Sequence, residues 1–111
     1  MISRGAVVAV ADRGGDYTSK PRPAIVVQSN LFNDLKSLTI CPVTSVAQNG
    51  ILMRVPITPS ASLSLRTESW IEVDKITTVR RDRIGTVMGQ LVPQDMQALN
   101  SALALFLGFA G

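Results

Sequence analysis

An arginine wedged between two prolines, Pro21-Arg22-Pro23, opens the apolar run Ala24-Ile25-Val26-Val27. The prolines restrict the backbone on either side of Arg22 and hold the base of its side chain still. The continuous apolar run after them predicts a strand over residues 23–28 that is buried on both faces or lines a barrel interior. A second apolar run, residues 38–43, predicts the next strand and leads into Cys41-Pro42-Val43-Thr44-Ser45. With the arginine at the start of one buried strand and the threonine at the end of the next, Arg22 and Thr44 are expected to face one groove. There they would act on a phosphate.

The remaining elements follow from pattern. Residues 6–11 are short, apolar and valine-rich, a first strand. Residues 12–21 form a ten-residue loop with Gly14-Gly15 near its start, longer than the usual hairpin connection and so a candidate functional loop. Residues 29–37 are polar, with a short helical turn expected around Phe32. In residues 51–57, Pro56 places a strand at a sheet edge or end. Residues 58–66 are a loop, and residues 69–73 a strand that residues 74–79 continue or bend away from. Arg80-Arg81-Asp82-Arg83 is a charged corner and residues 86–91 a final short strand. Residues 93–107 are the one clear helix: Pro93 suits the first turn, Gly108 suits the position after the last, and Met96, Leu99, Leu103 and Phe106 make one apolar stripe. Leu105, Leu107 and Phe109 lie off that stripe and are candidates to reach a partner subunit. Short strands followed by one helix predict a mainly β fold, a small curled sheet or barrel capped by the helix.

Composition narrows the chemistry. The 111 residues are 46% hydrophobic and 17% charged, which suits a single domain with its own core, residues 1–111. No apolar run approaches the roughly 18 residues of a membrane span, and no signal-peptide pattern opens the sequence, so no membrane association and a cytoplasmic location are expected. One cysteine, Cys41, and no histidine exclude an internal disulfide and argue against a zinc site; no metal or cofactor is expected. The net charge of +3 is compatible with an anionic ligand or an acidic protein partner.

Several blocks together resemble the PemK/MazF family of toxin endoribonucleases from toxin–antitoxin pairs: Arg4-Gly5; Arg22-Pro23-Ala24-Ile25-Val26-Val27; Phe32-Asn33; Pro42-Val43-Thr44-Ser45; Ser69-Trp70-Ile71-Glu72-Val73-Asp74-Lys75-Ile76; and Ile84-Gly85 with Gly89-Gln90-Leu91 before the helix. The resemblance covers nearly the whole chain. It implies an SH3-like barrel, a homodimer, a cognate antitoxin, and metal-independent cleavage of single-stranded RNA to 2′,3′-cyclic phosphate and 5′-hydroxyl ends. It sets Arg22 and Thr44 at the family's catalytic pair and Asp74 at an acidic residue implicated in some members. Where some members carry an arginine two residues before that aspartate, this chain has Glu72.

The residue types suit that chemistry. A guanidinium fork binds two phosphate oxygens, and the Thr44 hydroxyl, with Ser45 beside it, can donate to the same group. The plain alternatives are a salt bridge from Arg22 to Asp74 and a strand-end turn hydroxyl for Thr44. Without histidine the proton acceptor is a carboxylate, with Asp16 and Asp74 both open. For RNA binding, Tyr17 offers a stacking face, and Gln28 and Asn30 offer amides to base edges. Asp16, Lys20, Arg80 and Arg81 complete the candidate set, with Arg80 and Arg81 on flanking phosphates. Two other readings compete: a CcdB-like, non-enzymatic poison of DNA gyrase acting through the helix tip, and an SH3-like binding module without activity.

Overall fold

The computed structural model describes residues 2–11, 21–47, 53–59, 63, 65 and 67–110. Seven strands, β1 (Ala6–Val10), β2 (Arg22–Val26), β3 (Ser37–Thr44), β4 (Arg54–Pro56), β5 (Trp70–Glu72), β6 (Thr77–Arg80) and β7 (Ile84–Gln90), precede one helix, α1 (Pro93–Leu107). Three one-turn 3-10 helices, Asn30–Phe32, Val73–Lys75 and Arg81–Arg83, sit in the connections. The sheet runs in the order β4-β5-β3-β2-β1-β7, with β6 also paired to β3, and every pairing is antiparallel. No helix among the described residues is long and apolar enough to cross a membrane.

The central strands are buried on both faces, as their unbroken apolar runs require. On one face Val7, Ile25, Cys41, Val43, Val55 and Ile71 pack with Leu99 and Leu103 of α1. On the other, Val8, Ala24, Val26, Leu38, Ile40 and Val79 form a second cluster. Adjacent residues alternate between the two, the period-2 signature of a strand.

Gly5 begins β1 with φ +90°, and a side chain there would meet the Gln90 amide and the Met96 sulfur at 2.6 and 2.7 Å. Only glycine accepts both constraints. Its backbone bonds Val26 and Leu91, which joins β2 to the segment leading into the helix. At the other end Gly108, φ +87°, caps α1 in the left-handed conformation.

Helix bounds agree with the sequence expectation, and so does the place of Pro56, in the edge strand β4. Two details differ. Residues 74–79 neither continue β5 nor bend directly into a strand; the chain first makes the turn Val73–Lys75. Phe106, the last member of the expected stripe, is 43% exposed with Leu105, Leu107 and Phe109 around it, because the end of the helix projects past the packed cluster. The buried positions of α1 are Asp95, Leu99, Ala102 and Leu103. Asp95 accepts from the Thr58 amide and hydroxyl at 2.7 and 2.9 Å, fixing the first turn of the helix to the segment after β4.

Replacing Leu99 by Ala is expected to destabilise the protein by about 3 kcal/mol, the cost of a fully buried leucine cavity. Urea unfolding followed by circular dichroism measures it, and Phe109→Ala, at 83% exposure, should shift stability by less than about 0.5 kcal/mol.

Candidate active site

The β2–β3 register, continued past its last pair, aligns Arg22 with Thr44. β2 and β3 pair as Val26↔Ile40, Ile25↔Cys41 and Ala24↔Pro42; two further steps set Arg22 across from Thr44. Residues opposite one another on neighbouring strands point to the same face, with Cβ atoms about 5 Å apart. Thr44 is also opposite Trp70 of β5, and Trp70 is opposite Pro56 of β4. One row across four strands therefore reads Arg22, Thr44, Trp70, Pro56. The row beside it on that face reads Ala24, Pro42, Glu72, Arg54, from the Ala24↔Pro42 and Arg54↔Glu72 pairs and one further step of the β3–β5 register.

The chemistry of the two rows differs. Arg22 is exposed at the head of β2, and Thr44 is half-buried at the end of β3. The Thr44 oxygen accepts the Val46 amide at 3.1 Å, which is the turn role expected of a strand-end threonine. That bond uses a lone pair and leaves the hydroxyl proton free to donate. Ser45 is exposed beside it.

In the second row Arg54 is clamped between two carboxylates. Its Nη1 is ion-paired with Asp74, and its Nη2 lies 3.4 Å from Glu72, which Lys75 approaches at 3.2 Å from the other side. Asp74 is thus held by Arg54, not by Arg22. Arg54 did not stand out in the sequence. Its only cue was an arginine inside an apolar strand, and its acidic partner lies twenty residues on.

Burial pushes the Cys41 thiol up to about 12, with Arg4 acting against that rise and Asp74 adding to it. Cys41 faces the helix-side core and is a packing residue.

The other candidates lie elsewhere. Gln28 donates to the carbonyls of Phe32 and Ser37 and accepts from the Thr39 amide, while Asn30 accepts from the Arg4 amide at 2.7 Å. Both amides brace the 29–37 connection. Arg80 pairs with Asp82 at 2.6 Å, and Arg81 donates to the Leu35 carbonyl at 2.8 Å. Both stand at the Ser37 end of β3, seven residues from Thr44 and so about 23 Å away at strand rise. Asp16, Tyr17 and Lys20 lie outside the described residues. Among the described residues no three His, Cys, Asp or Glu side chains converge as a metal site.

A curled antiparallel sheet carrying one C-terminal helix, with a cation and a hydroxyl at the ends of adjacent central strands, defines a small β protein built around a polar strand-end face. The family described as PemK-like, MazF-like toxin of type II toxin-antitoxin system matches residues 3–107, and the chain belongs to it. A probable endoribonuclease MazF from Mycolicibacterium smegmatis is 38% identical over 110 residues, covering 99% of this chain and all of that one. Among solved structures, a mycobacterial endoribonuclease in complex with its cognate antitoxin superposes with a TM-score of 0.83 at 26% identity, over 100% of this chain and 99% of the other. A second mycobacterial endoribonuclease gives 0.78 at 26% identity, over 96% and 91%.

The native thiol of Cys41 holds its proton more tightly than the unfolded chain, whose ordinary value is 9.0. The associated stability is full below pH 9 and is lost as pH rises toward 12. Cys41→Val should flatten that part of the pH–stability curve. Iodoacetamide at pH 8 should label Cys41 only after unfolding, measured by intact mass.

Proposed function

We propose that this chain is the endoribonuclease toxin of a type II toxin–antitoxin pair, one domain over residues 1–111 that acts in the cytoplasm on single-stranded RNA without a metal. What supports the mechanism is the β2–β3 register, which continued two steps beyond Ala24↔Pro42 sets Arg22 across from Thr44, with the Arg54–Asp74 ion pair beside that row. The family membership carries the activity class.

A ribose 2′-oxygen attacks the adjacent phosphorus. The 2′-O–P bond forms and the P–O5′ bond breaks, giving a 2′,3′-cyclic phosphate and a 5′-hydroxyl. The 2′-OH proton passes to a carboxylate, for which Asp74 is the choice within the described residues, and the leaving 5′-oxygen takes up a proton from water. Negative charge gathers on the non-bridging oxygens as the bonds change. Arg22 offers them a fixed guanidinium, and Thr44 donates the proton its bond to Val46 leaves free. Ser45 adds a second hydroxyl at the same strand end. Arg80 and Arg81 are too far away to touch the reacting phosphate and would meet only flanking RNA.

The exposed apolar end of α1, with Leu105, Phe106, Leu107 and Phe109, is the surface we assign to a second copy in a homodimer. An antitoxin would neutralise the toxin by laying an acidic segment over the face that carries Arg22.

Purified protein should cut defined single-stranded RNA in EDTA, and 2′-deoxy substitution at the cut site should abolish cleavage. Arg22→Ala should lower kcat by about a thousandfold and Thr44→Ala by about a hundredfold, the range for losing one preorganised donor, with circular dichroism unchanged. Wild-type protein that leaves a broad RNA panel intact yet arrests growth through DNA gyrase would overturn this reading. Phe109→Glu should shift the sedimentation coefficient toward the monomer, and an unchanged value would move the dimer interface elsewhere.

A further inference from the structure

We propose that Arg54 is a positioning residue for RNA cleavage, holding Asp74 in place on the Thr44 face of the sheet. The inference rests on the nuclease reading above and assigns a role to a residue that the motifs around Arg22, Thr44 and Asp74 do not include.

Four observations converge on Arg54. It lies in the edge strand β4, paired by register with Glu72 and one row from Thr44 and Trp70. Its side chain is 10% exposed, more enclosed than Asp74 at 34%, so the guanidinium forms the floor on which the carboxylate rests. It spends its two terminal nitrogens on two different carboxylates, and its Nε is buried without a hydrogen-bond partner among the described residues. The guanidinium thus spans Glu72 and Asp74 and does not fork onto a single carboxylate. Finally, Asp74 sits in the one-turn helix Val73–Lys75, where backbone hydrogen bonding is limited to a single turn closed by the Ile76 amide. A side-chain tether there limits where the carboxylate can go.

The charges around the pair are few. Glu72 comes from β5, and Asp74 and Lys75 from the one-turn helix. β3 contributes the neutral Cys41 thiol, which feels both Arg4 and Asp74. The only charged residue of α1 is Asp95, already bonded to Thr58. With Arg54 present, Arg54, Lys75, Glu72 and Asp74 sum to zero. Without it, two carboxylates stand together with one exposed lysine, next to the place where a phosphate must arrive. The residual negative charge of such a pair opposes RNA.

The test is a double-mutant cycle of Arg54→Gln and Asp74→Asn, each variant checked by circular dichroism and assayed for kcat and KM on one defined RNA from pH 5 to 9. Arg54→Gln alone should lower kcat at pH 7 by about tenfold to a hundredfold and raise KM through the added negative charge. Arg54→Lys, which keeps the charge but cannot span both carboxylates, should return KM to the wild-type value while leaving kcat several-fold low. In the Asp74→Asn background Arg54→Gln should cost nothing further. If Arg54→Gln does not fold, Arg54→Lys carries the same cycle through its kcat loss. Folded Arg54 variants with wild-type kcat and KM, or a loss that repeats in full when Asp74 is Asn, overturn the proposal. Wild-type protein that cuts no RNA overturns the nuclease reading itself, a result distinct from these.

Discussion

The backbone of β3 is hydrogen-bonded along both edges, to β2 on one side and to β6 and then β5 on the other. The two outer partners do not share one register. β6 meets β3 at Ile40↔Thr77 and β5 meets it at Val43↔Ile71. Three residues of β3 thus face six of the partner chain, and the surplus of three is the 3-10 turn Val73–Lys75. The surplus must leave the ladder. It carries Asp74 out of the sheet while Val73, fully buried, anchors the turn in the helix-side core. A register constraint on the central strand thereby sets the place of an acidic side chain near the strand's end.

The same strand separates two functions in space. Its Ser37 end is closed structurally: Gln28 ties the 29–37 connection to Thr39, and Arg81 ties the last corner to Leu35. Its Thr44 end keeps polar groups on the surface, next to Arg22, where Pro23 withholds an N–H and fixes its own φ. Leaving an arginine exposed is inexpensive there, since a guanidinium at a strand end remains in water. Rigidity at one end supports precise presentation at the other, because both apolar clusters span the strand between them.

What was legible in the sequence was what local chemistry dictates. Pro93 and Gly108 bound the helix correctly because capping preferences act within one turn. The buried central strands were legible because burial on both faces leaves no alternation to misread. The adjacency of the strands that carry Arg22 and Thr44 was legible from strand order, and their antiparallel pairing runs from Val26↔Ile40 to Ala24↔Pro42. The three-residue surplus between β5 and β6 was not legible, because register is settled by partners distant in sequence. The same distance hid Arg54. Arg22 is the cation that the motifs set with Asp74, whereas β4 delivers Arg54 to it from across β5. Gln28 and Asn30 looked available for bases because an amide in a loop shows no sign in sequence of the backbone groups it will bond.

In the mechanism proposed above, the absence of histidine gives the arrangement its logic. A carboxylate, ordinarily near pKa 4, is a weak base for a ribose hydroxyl at neutral pH, so proton removal alone does little of the work. The barrier must fall chiefly through stabilisation of charge on the phosphorus oxygens. That shifts the burden to Arg22 and Thr44 and asks of the carboxylate mainly that it be correctly placed. On these terms the guanidinium that fixes Asp74 and the guanidinium that meets the phosphate act on one transition state from two sides. Arg54 and Arg22, from strands that never touch, are linked through the strand between them and the short strand that carries Trp70.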